Sequence, residues 1–504
     1  MAVTASTYWG LVEQRAARTP DDVLAVDEQD RTITFGALRD RAERVAAGLA
    51  ERGVTGARPV SWQLPNRIEA IVLTTALARL GVVQNPIVVS GRAREVGFAV
   101  RQLGSRLLVT TSTWQGFDYA AMAHGIADTV PHLDVLVVDD ELPQASPSPL
   151  PQAPTGDAVR WILYTSGTTA DPKGARHTDA SLLASGRNIA DRLRMGAADR
   201  NAIVFPIAHI GGLSFLIGDL MTGASSILVE RFGPAAVATL ARQGVTLAGS
   251  GTPFNLVYLQ VQEVAAAPIF PAVRAFPGGG ATRPAWLHER MKRVFGGAGV
   301  VSGYGLTETG SLTMADVEDP DSVLAATEGR AYAGTDLRIV GQDGRLRDPG
   351  EEGEICARGP QVMQGYVDAS LDTAFDADGY FHTGDLGVLD AAGNLRVSGR
   401  LKDVIIRKGE NISARELEEL LARHQSVADV AVVGLPDEET GERCCAVVVA
   451  ATGQRPNLAT LCEFLLDCGM ARHKLPEQLE LVDRLPKNSS GKTMKHVLRS
   501  DLAP

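Results

Sequence analysis

Sulfur is scarce in this sequence of 504 residues, and the five cysteines, Cys356, Cys444, Cys445, Cys462 and Cys468, form no C-x-x-C pair. The count is odd and the spacing fits neither a zinc motif nor a disulfide framework, which suits a reducing compartment and leaves the thiols as small buried hydrophobes. No apolar run reaches about 18 residues, the length a membrane-spanning helix needs. The opening residues MAVTASTYWG lack the charged segment and apolar stretch of a signal peptide, so a soluble cytoplasmic protein is expected. Positive charge is also short: 49 Lys+Arg against 60 Asp+Glu leave a net charge of −11. That balance argues against a binder of duplex nucleic acid, which must neutralise many phosphates. An anionic small ligand would need local basic groups instead. A repeat of fixed period is missing too, which disfavours solenoids and propellers.

What is present is length and apolar content. A chain of this size implies roughly three domains of about 150 residues, or one large composite with a small partner, and 45% hydrophobic residues can support a sizeable core. Over roughly the first 400 residues, short apolar runs at 107–109, 135–138 and 202–205 alternate with stretches of helical period. The pattern implies βαβ units and buried, mostly parallel sheets. Residues 141–157 interrupt it with five prolines, an exposed connector. After Arg400 the pattern changes: strands at 404–406, 430–434 and 445–449, helices from Ser413 to about 424 and near 458–466, then a basic tail. Ser413 and Glu416 have the capping-box spacing that opens the first helix. The expected class is therefore α/β, a large N-terminal domain over 1–399 of mostly parallel sheets flanked by helices, with a small mobile α+β domain over 403–504 and a hinge at 400–402.

Several segments carry groups that could do chemistry. YTSGTTADPKG, residues 164–174, follows an apolar strand and sets hydroxyls, glycines and Lys173 where they could wrap phosphate oxygens. Its spacing is not that of a Walker A loop, and the same composition describes a polar surface turn. GYGLTETG, residues 303–310, has Glu308 where a dinucleotide fingerprint needs its third glycine. A carboxylate beside phosphates can instead hold Mg²⁺, although most lone glutamates are simply exposed. YFHTGD (380–385) and GRLKD (399–403) pair an acid with a base suited to ribose hydroxyls or a phosphate, and each also reads as a hairpin corner. PKNSSGK (486–492) places Lys492 on a polar loop near the end of the chain.

Together, in this order and at these intervals, the five segments resemble those of the adenylate-forming superfamily of acyl- and aryl-CoA synthetases, nonribosomal adenylation domains and luciferases. The likeness spans essentially the whole chain and is nearest to the acyl-CoA synthetase branch. It implies two half-reactions: a carboxylate attacks the α-phosphate of ATP-Mg to give an acyl-adenylate and pyrophosphate, and a thiol then displaces AMP. The implied cofactors are ATP, Mg²⁺ and coenzyme A as cosubstrate. Carried over by position, Thr165, Ser166, Gly167, Thr168, Thr169 and Lys173 would hold the β- and γ-phosphates, with Thr307 and Glu308 serving the α-phosphate and the metal. Gly279, Gly280, Ala281 and Tyr304 would hold adenine, with Asp385 and Arg400 on ribose. Lys492 would draw the substrate carboxylate and α-phosphate together, two anions that otherwise repel.

For the second half-reaction the resemblance makes Lys402 the pivot and brings Gly409 to face the thiol channel, while Arg472, His473 and Lys474 would meet the CoA phosphates. A solvated basic face explains those last three equally well. His209, with Gly211 and Gly212 leaving room beside it and Gly251 on another wall, would line the acid pocket. A satisfied buried histidine is the competing reading. Two positions depart from the family pattern: Ala170 replaces a glycine in the phosphate loop, and Lys402 stands where many members carry Asp.

The reading is an AMP-forming acyl-CoA synthetase for a hydrophobic carboxylic acid, whether fatty, alicyclic, aryl or steroid-derived. Its alternatives are a carrier-protein-loading acid adenylation enzyme, an inactive nucleotide-binding homologue and a luciferase-like oxygenase. The segment from His209 lacks the aspartate that amino-acid-loading members use, which favours free CoA. Expected partners are the acid, ATP and CoA, without nucleic acid or a transmembrane segment, and an assembly, if any, would be a dimer.

Overall fold

A computed structural model describes the chain except for residues 1–2, 57, 149, 166–171, 250, 281–282, 285, 408–409, 438–439, 489–490 and 503–504, and describes 410 and 411 by backbone alone. Packing divides the chain into two units, one made of Met1–Gly167, Asp171–Asp336 and Ala357–Phe381, the other of Leu337–Cys356 and His382–Pro504.

The apolar runs of the first unit become strands as expected. Leu107–Thr110 lies parallel to Val60–Gln63 on one side and Asp134–Val137 on the other, within a six-stranded sheet that ends in the antiparallel hairpin Val159–Thr165 and Lys173–Thr178. A second sheet runs Arg200–Ile203, Ser225–Leu228 and Val23–Val26 in parallel. All four residues of Leu107–Thr110 are buried, which is why such strands read as continuous apolar runs without alternation. The helices Tyr8–Arg18, Phe35–Glu51, Ile68–Leu80 and Ile210–Thr222 supply most of the remaining side chains of one large core. A third sheet switches hand: Phe276–Gly278 is parallel to Val300–Leu306, which turns back antiparallel through Gly310–Met314. The 141–157 connector carries no regular element among its described residues.

In the second unit, Val427–Asp437 and Gly441–Ala450 form a long antiparallel pair. Cys444, Ala446 and Val448 face one core beneath the helices Ala414–Leu421 and Leu458–Asp467, while Cys445 and Val447 face another with Leu485 and Leu498. This is the period-two alternation of a pleated strand covered on both faces. Ser413 caps the first of these helices, its hydroxyl accepting from Glu416 N at 3.3 Å. The four-stranded sheet Asp336–Val340, Gly353–Arg358, Phe381–Leu389 and Leu395–Arg400 falls largely in this unit by packing, since the helix Ala414–Leu421 rests on the strand Leu395–Arg400. Leu337–Cys356 and residues 382–399 thus pack with the C-terminal unit, whereas the sequence pattern placed them in the N-terminal domain. The cysteines Cys356, Cys444 and Cys445 are buried, Cys462 is half-buried and Cys468 exposed. No helix among the described residues is long and apolar enough to cross a membrane.

Candidate active site

In the first unit, the hairpin register sets Thr165 directly opposite Lys173, so the backbone fixes both ends of the hydroxyl-rich loop. Ser166, Gly167, Thr168, Thr169 and Ala170 lie outside the described residues. Segment 364–367 runs alongside the hairpin: Arg176 N donates to Gly365 O, Gln364 N to Arg176 O and Val367 N to Gly174 O. That pairing lays the Tyr366 ring beneath Lys173, whose Nζ lies 5.5 Å from the ring centroid. The Tyr366 hydroxyl donates to Glu308 Oε1 at 2.9 Å. Burial and the adjacent Glu308 carboxylate hold this phenol well above its ordinary pKa, so it stays protonated as a donor.

Thr307 and Glu308 occupy the turn between Val300–Leu306 and Gly310–Met314. The turn is closed by Thr309 N to Leu306 O at 3.2 Å and Leu306 N to Thr309 Oγ1 at 3.0 Å. His177 pins it from below, with Nε2 2.8 Å from Thr307 O. Burial pushes the His177 pKa down to about 4, although the Thr307 carbonyl opposes the shift. The ring is therefore neutral at pH 7. Because a carbonyl only accepts, the proton sits on Nε2, leaving Nδ1 toward the Ser181 hydroxyl at 3.0 Å.

Beside this turn lies the 277–280 segment. Gly279 and Gly280 have φ of +140° and +71°, and a Cβ on Gly279 would come within 2.8 Å of Gly303 O. Both positions need glycine, one for backbone conformation and close approach together. Gly279 O accepts from Thr252 N at 3.2 Å, tying the segment to the helix Thr252–Val264 that Gly251 starts. Tyr304 is buried on the adjoining strand, and Ala281 lies outside the described residues.

An aromatic wall continues from there. Phe205 meets His209 at 4.8 Å between ring centroids, Phe254 at 5.7 Å, and Phe254 meets Phe232 at 4.7 Å. Gly251 faces this wall, since an added Cβ would lie 3.3 Å from Gly279 O and 3.4 Å from Phe205. His209 caps the helix Ile210–Thr222, its Nδ1 accepting from Gly211 N at 3.1 Å, and burial pushes its pKa down to about 4. Gly211 borders the imidazole. Gly212 is turned elsewhere: its Cβ would meet Pro206 O at 2.2 Å, so the missing side chain lets the helix start pack on the preceding loop and does not leave room beside His209.

In the second unit, Asp385 and Arg400 are register partners on neighbouring strands, and Arg400 Nε lies 2.7 Å from the buried Asp385 Oδ1. Lys492 belongs to this group. Its backbone is clamped on both sides by Asn488, Lys492 N donating to Asn488 Oδ1 and Asn488 N to Lys492 O, both at 2.9 Å. The ammonium's pKa is pushed down to about 8, by burial first and then by the Arg400 charge, with Asp385 and Asp403 pulling the other way. The 401–403 turn is tied to the helix Lys495–Leu502: Arg499 donates to Lys402 O at 3.3 Å and pairs with Asp403 at 2.7 Å. The Lys402 side chain is exposed. Gly409 lies outside the described residues. Arg472 and His473 are exposed on a short turn, whereas Lys474 is paired with Glu416 at 2.8 Å.

The chain matches the family described as AMP-binding enzyme over residues 12–367, and the AMP-binding enzyme C-terminal domain over 416–492. The chain belongs to the AMP-binding enzyme family. It is 32% identical to the medium-chain fatty-acid–CoA ligase of Escherichia coli K12 across 98% of this chain and 90% of that one. To the salicyl-AMP ligase/salicyl-S-ArCP synthetase of Mycobacterium tuberculosis it is 33% identical across 98% and 91%. The fold superposes on ATP-bound MatB of Rhodopseudomonas palustris with a TM-score of 0.89, at 27% identity and 98% coverage of both chains. This member of the family is an ATP-dependent, adenylate-forming enzyme of the acyl/aryl-CoA ligase group, which uses ATP, Mg²⁺ and, as cosubstrate, coenzyme A.

Sequence reading missed Tyr366, His177 and Phe205 as parts of the site. Asn488 left a signal, an Asx side chain four residues before a lysine in a turn-rich segment. Tyr366 left none, because Glu308, to which its hydroxyl donates, lies 58 positions away in sequence.

Proposed function

We propose that this family member is an AMP-forming acyl-CoA synthetase for a hydrophobic carboxylic acid. The observation that carries the reading is the aromatic wall of His209, Phe205, Phe254 and Phe232 beside the Gly279–Gly280 segment. A neutral imidazole and phenyl rings favour an apolar body, and the 209–212 helix start carries no acid to pair a substrate ammonium. The rings gain from apolar contact about 25 cal/mol for each Å² removed from water.

The residue roles are those that the resemblance implies. Thr165 and Lys173, with the loop they bracket, hold the β- and γ-phosphates. Thr307 would serve the α-phosphate, and Glu308, oriented by the Tyr366 hydroxyl, would offer Mg²⁺ a hard carboxylate oxygen; the metal would supply charge neutralisation there. Gly279, Gly280, Ala281 and Tyr304 hold adenine, and Asp385 and Arg400 hold ribose. Lys492 neutralises repulsion as a carboxylate oxygen bonds to the α-phosphorus and pyrophosphate leaves. For the second step the 400–402 segment turns about Lys402, and Gly409 admits the thiol. The thiol sulfur then bonds to the acyl carbon, the C–O bond to AMP breaks and the thiol proton is released. Of the CoA-binding set, Arg472 and His473 are the groups available to phosphate in this state, with Lys474 held by Glu416.

A panel of fatty, alicyclic, aryl and amino acids assayed for AMP and thioester tests the proposal. Apolar acids should yield AMP, pyrophosphate and an acyl-CoA. Accumulation of ADP would overturn the mechanism, a preference for amino acids would overturn the pocket assignment, and transfer only to a carrier-protein pantetheine would move the chain to the carrier-loading branch.

The depressed Lys492 pKa predicts a pH profile. The cation is the working form and is lost as pH rises through about 8, so kcat/KM for ATP, which reports the free enzyme, should fall above that pH. Lys492→Arg, always cationic, should remove the alkaline limb.

A further inference from the structure

On the sheet of the second unit that carries Asp385, a group of side chains outside the adenylation machinery has the composition of a metal site. Glu354 and Cys356 are two residues apart on the strand Gly353–Arg358 and so share a face, and His382 stands on the adjacent strand Phe381–Leu389. One ligand atom from each, Glu354 Oε2, Cys356 Sγ and His382 Nδ1, lies within 4.8 Å of the others. His382 Nδ1 is the hub, 3.4 Å from the sulfur and 2.8 Å from the carboxylate oxygen. The thiol is 1% exposed while the imidazole is 34% exposed, so the set is walled on the sulfur side and open to solvent on the imidazole side. Glu354 is held in place by its second oxygen, which accepts from Gly384 N at 2.9 Å.

We propose that Glu354, Cys356 and His382 bind a single thiophilic divalent cation of the zinc type. Bonds of about 2.0–2.3 Å in a tetrahedron place ligand atoms roughly 3–4 Å apart, so the observed group, with its ligand atoms within 4.8 Å of one another, closes around an ion by shifts of about an ångström or less. Three protein ligands leave the fourth position to water. The thiolate selects zinc over Mg²⁺ and Ca²⁺, which take oxygen ligands, so the site does not compete for the metal that accompanies ATP. Binding displaces the thiol proton and the Nδ1 proton that now faces Glu354, and affinity therefore falls in acid. The ion would fasten two strands immediately before Asp385, which makes its occupancy a lever on the ribose-holding strand.

Zn²⁺ titration of the full chain against a colorimetric chelator, with excess Mg²⁺ present, tests the site. One equivalent should bind, and Co²⁺ in its place should show thiolate-to-metal charge-transfer absorption. Cys356→Ser should abolish that band and weaken Zn²⁺ binding by more than the roughly 10- to 100-fold that losing a hydrogen-bond partner of a ligand costs. Cys468→Ser, which removes the exposed thiol, should change neither reading. If Cys356→Ser melts early, His382→Gln carries the same expectation. No binding by the wild type, equal binding by Cys356→Ser or His382→Gln, or loss with Cys468→Ser would each overturn the proposal.

Discussion

Replacing Lys492 by Ala is expected to lower acid-dependent pyrophosphate exchange by about 10²–10³-fold, the usual effect of removing one preorganised charge from a developing oxyanion. Thioester formation from a supplied acyl-adenylate should stay near wild type, since that step forms no bond between two anions. The variant should fold, because the hydrogen bonds that shape its loop use the Lys492 backbone and the Asn488 side chain, none of which an alanine removes. Measuring the two half-reactions separately decides the matter: equal losses in both would show that the lysine does not act on adenylation alone.

Gly305→Ala should be nearly as damaging from within the first unit. A Cβ there would lie 2.0 Å from Gly310 O and 3.0 Å from Ser311 Cα, backbone atoms of the facing strand that cannot rotate away. The hairpin must spread, which costs about 1–3 kcal/mol by the usual scale for overpacking. It spreads at the turn carrying Thr307 and Glu308, where a displacement of about 1 Å can cost on the order of 100-fold in rate. Chemical unfolding and pyrophosphate exchange should both register the change. Gly196→Ala, where no atom stands within 4 Å of the added carbon, should stay within about 0.5 kcal/mol. Wild-type exchange in Gly305→Ala would show that this turn does not position the reacting groups.

Local sequence carried the elements whose causes are local. Leu107–Thr110 reads as a buried strand because all its side chains are apolar or small and enclosed, and Ser413 reads as a cap because the hydroxyl has only to reach Glu416 N. The motif resemblance carried the order of the chemical groups. It did not carry the supports that arrive from distant segments, such as the His177 ring under Thr307 or the Tyr366 hydroxyl on Glu308, since no spacing rule links residues joined only by tertiary packing. Gly212 shows the converse: three positions after His209 in sequence, it answers to a backbone contact with Pro206. The packing of Leu337–Cys356 and of residues 382–399 with the C-terminal unit was also illegible, because strand partners such as Asp385 and Arg400 are chosen by register and covered by a helix later in the chain.

The pairing of Thr165 with Lys173 restricts how the stretch between them can vary. Strand side chains alternate between faces, so removing a single residue between the two arms would either shear the ladder or rotate the lysine to the opposite side of the sheet. Substitutions in that stretch leave the alternation intact, whereas indels break it. Libraries that vary this stretch should therefore hold its length constant and change only its letters.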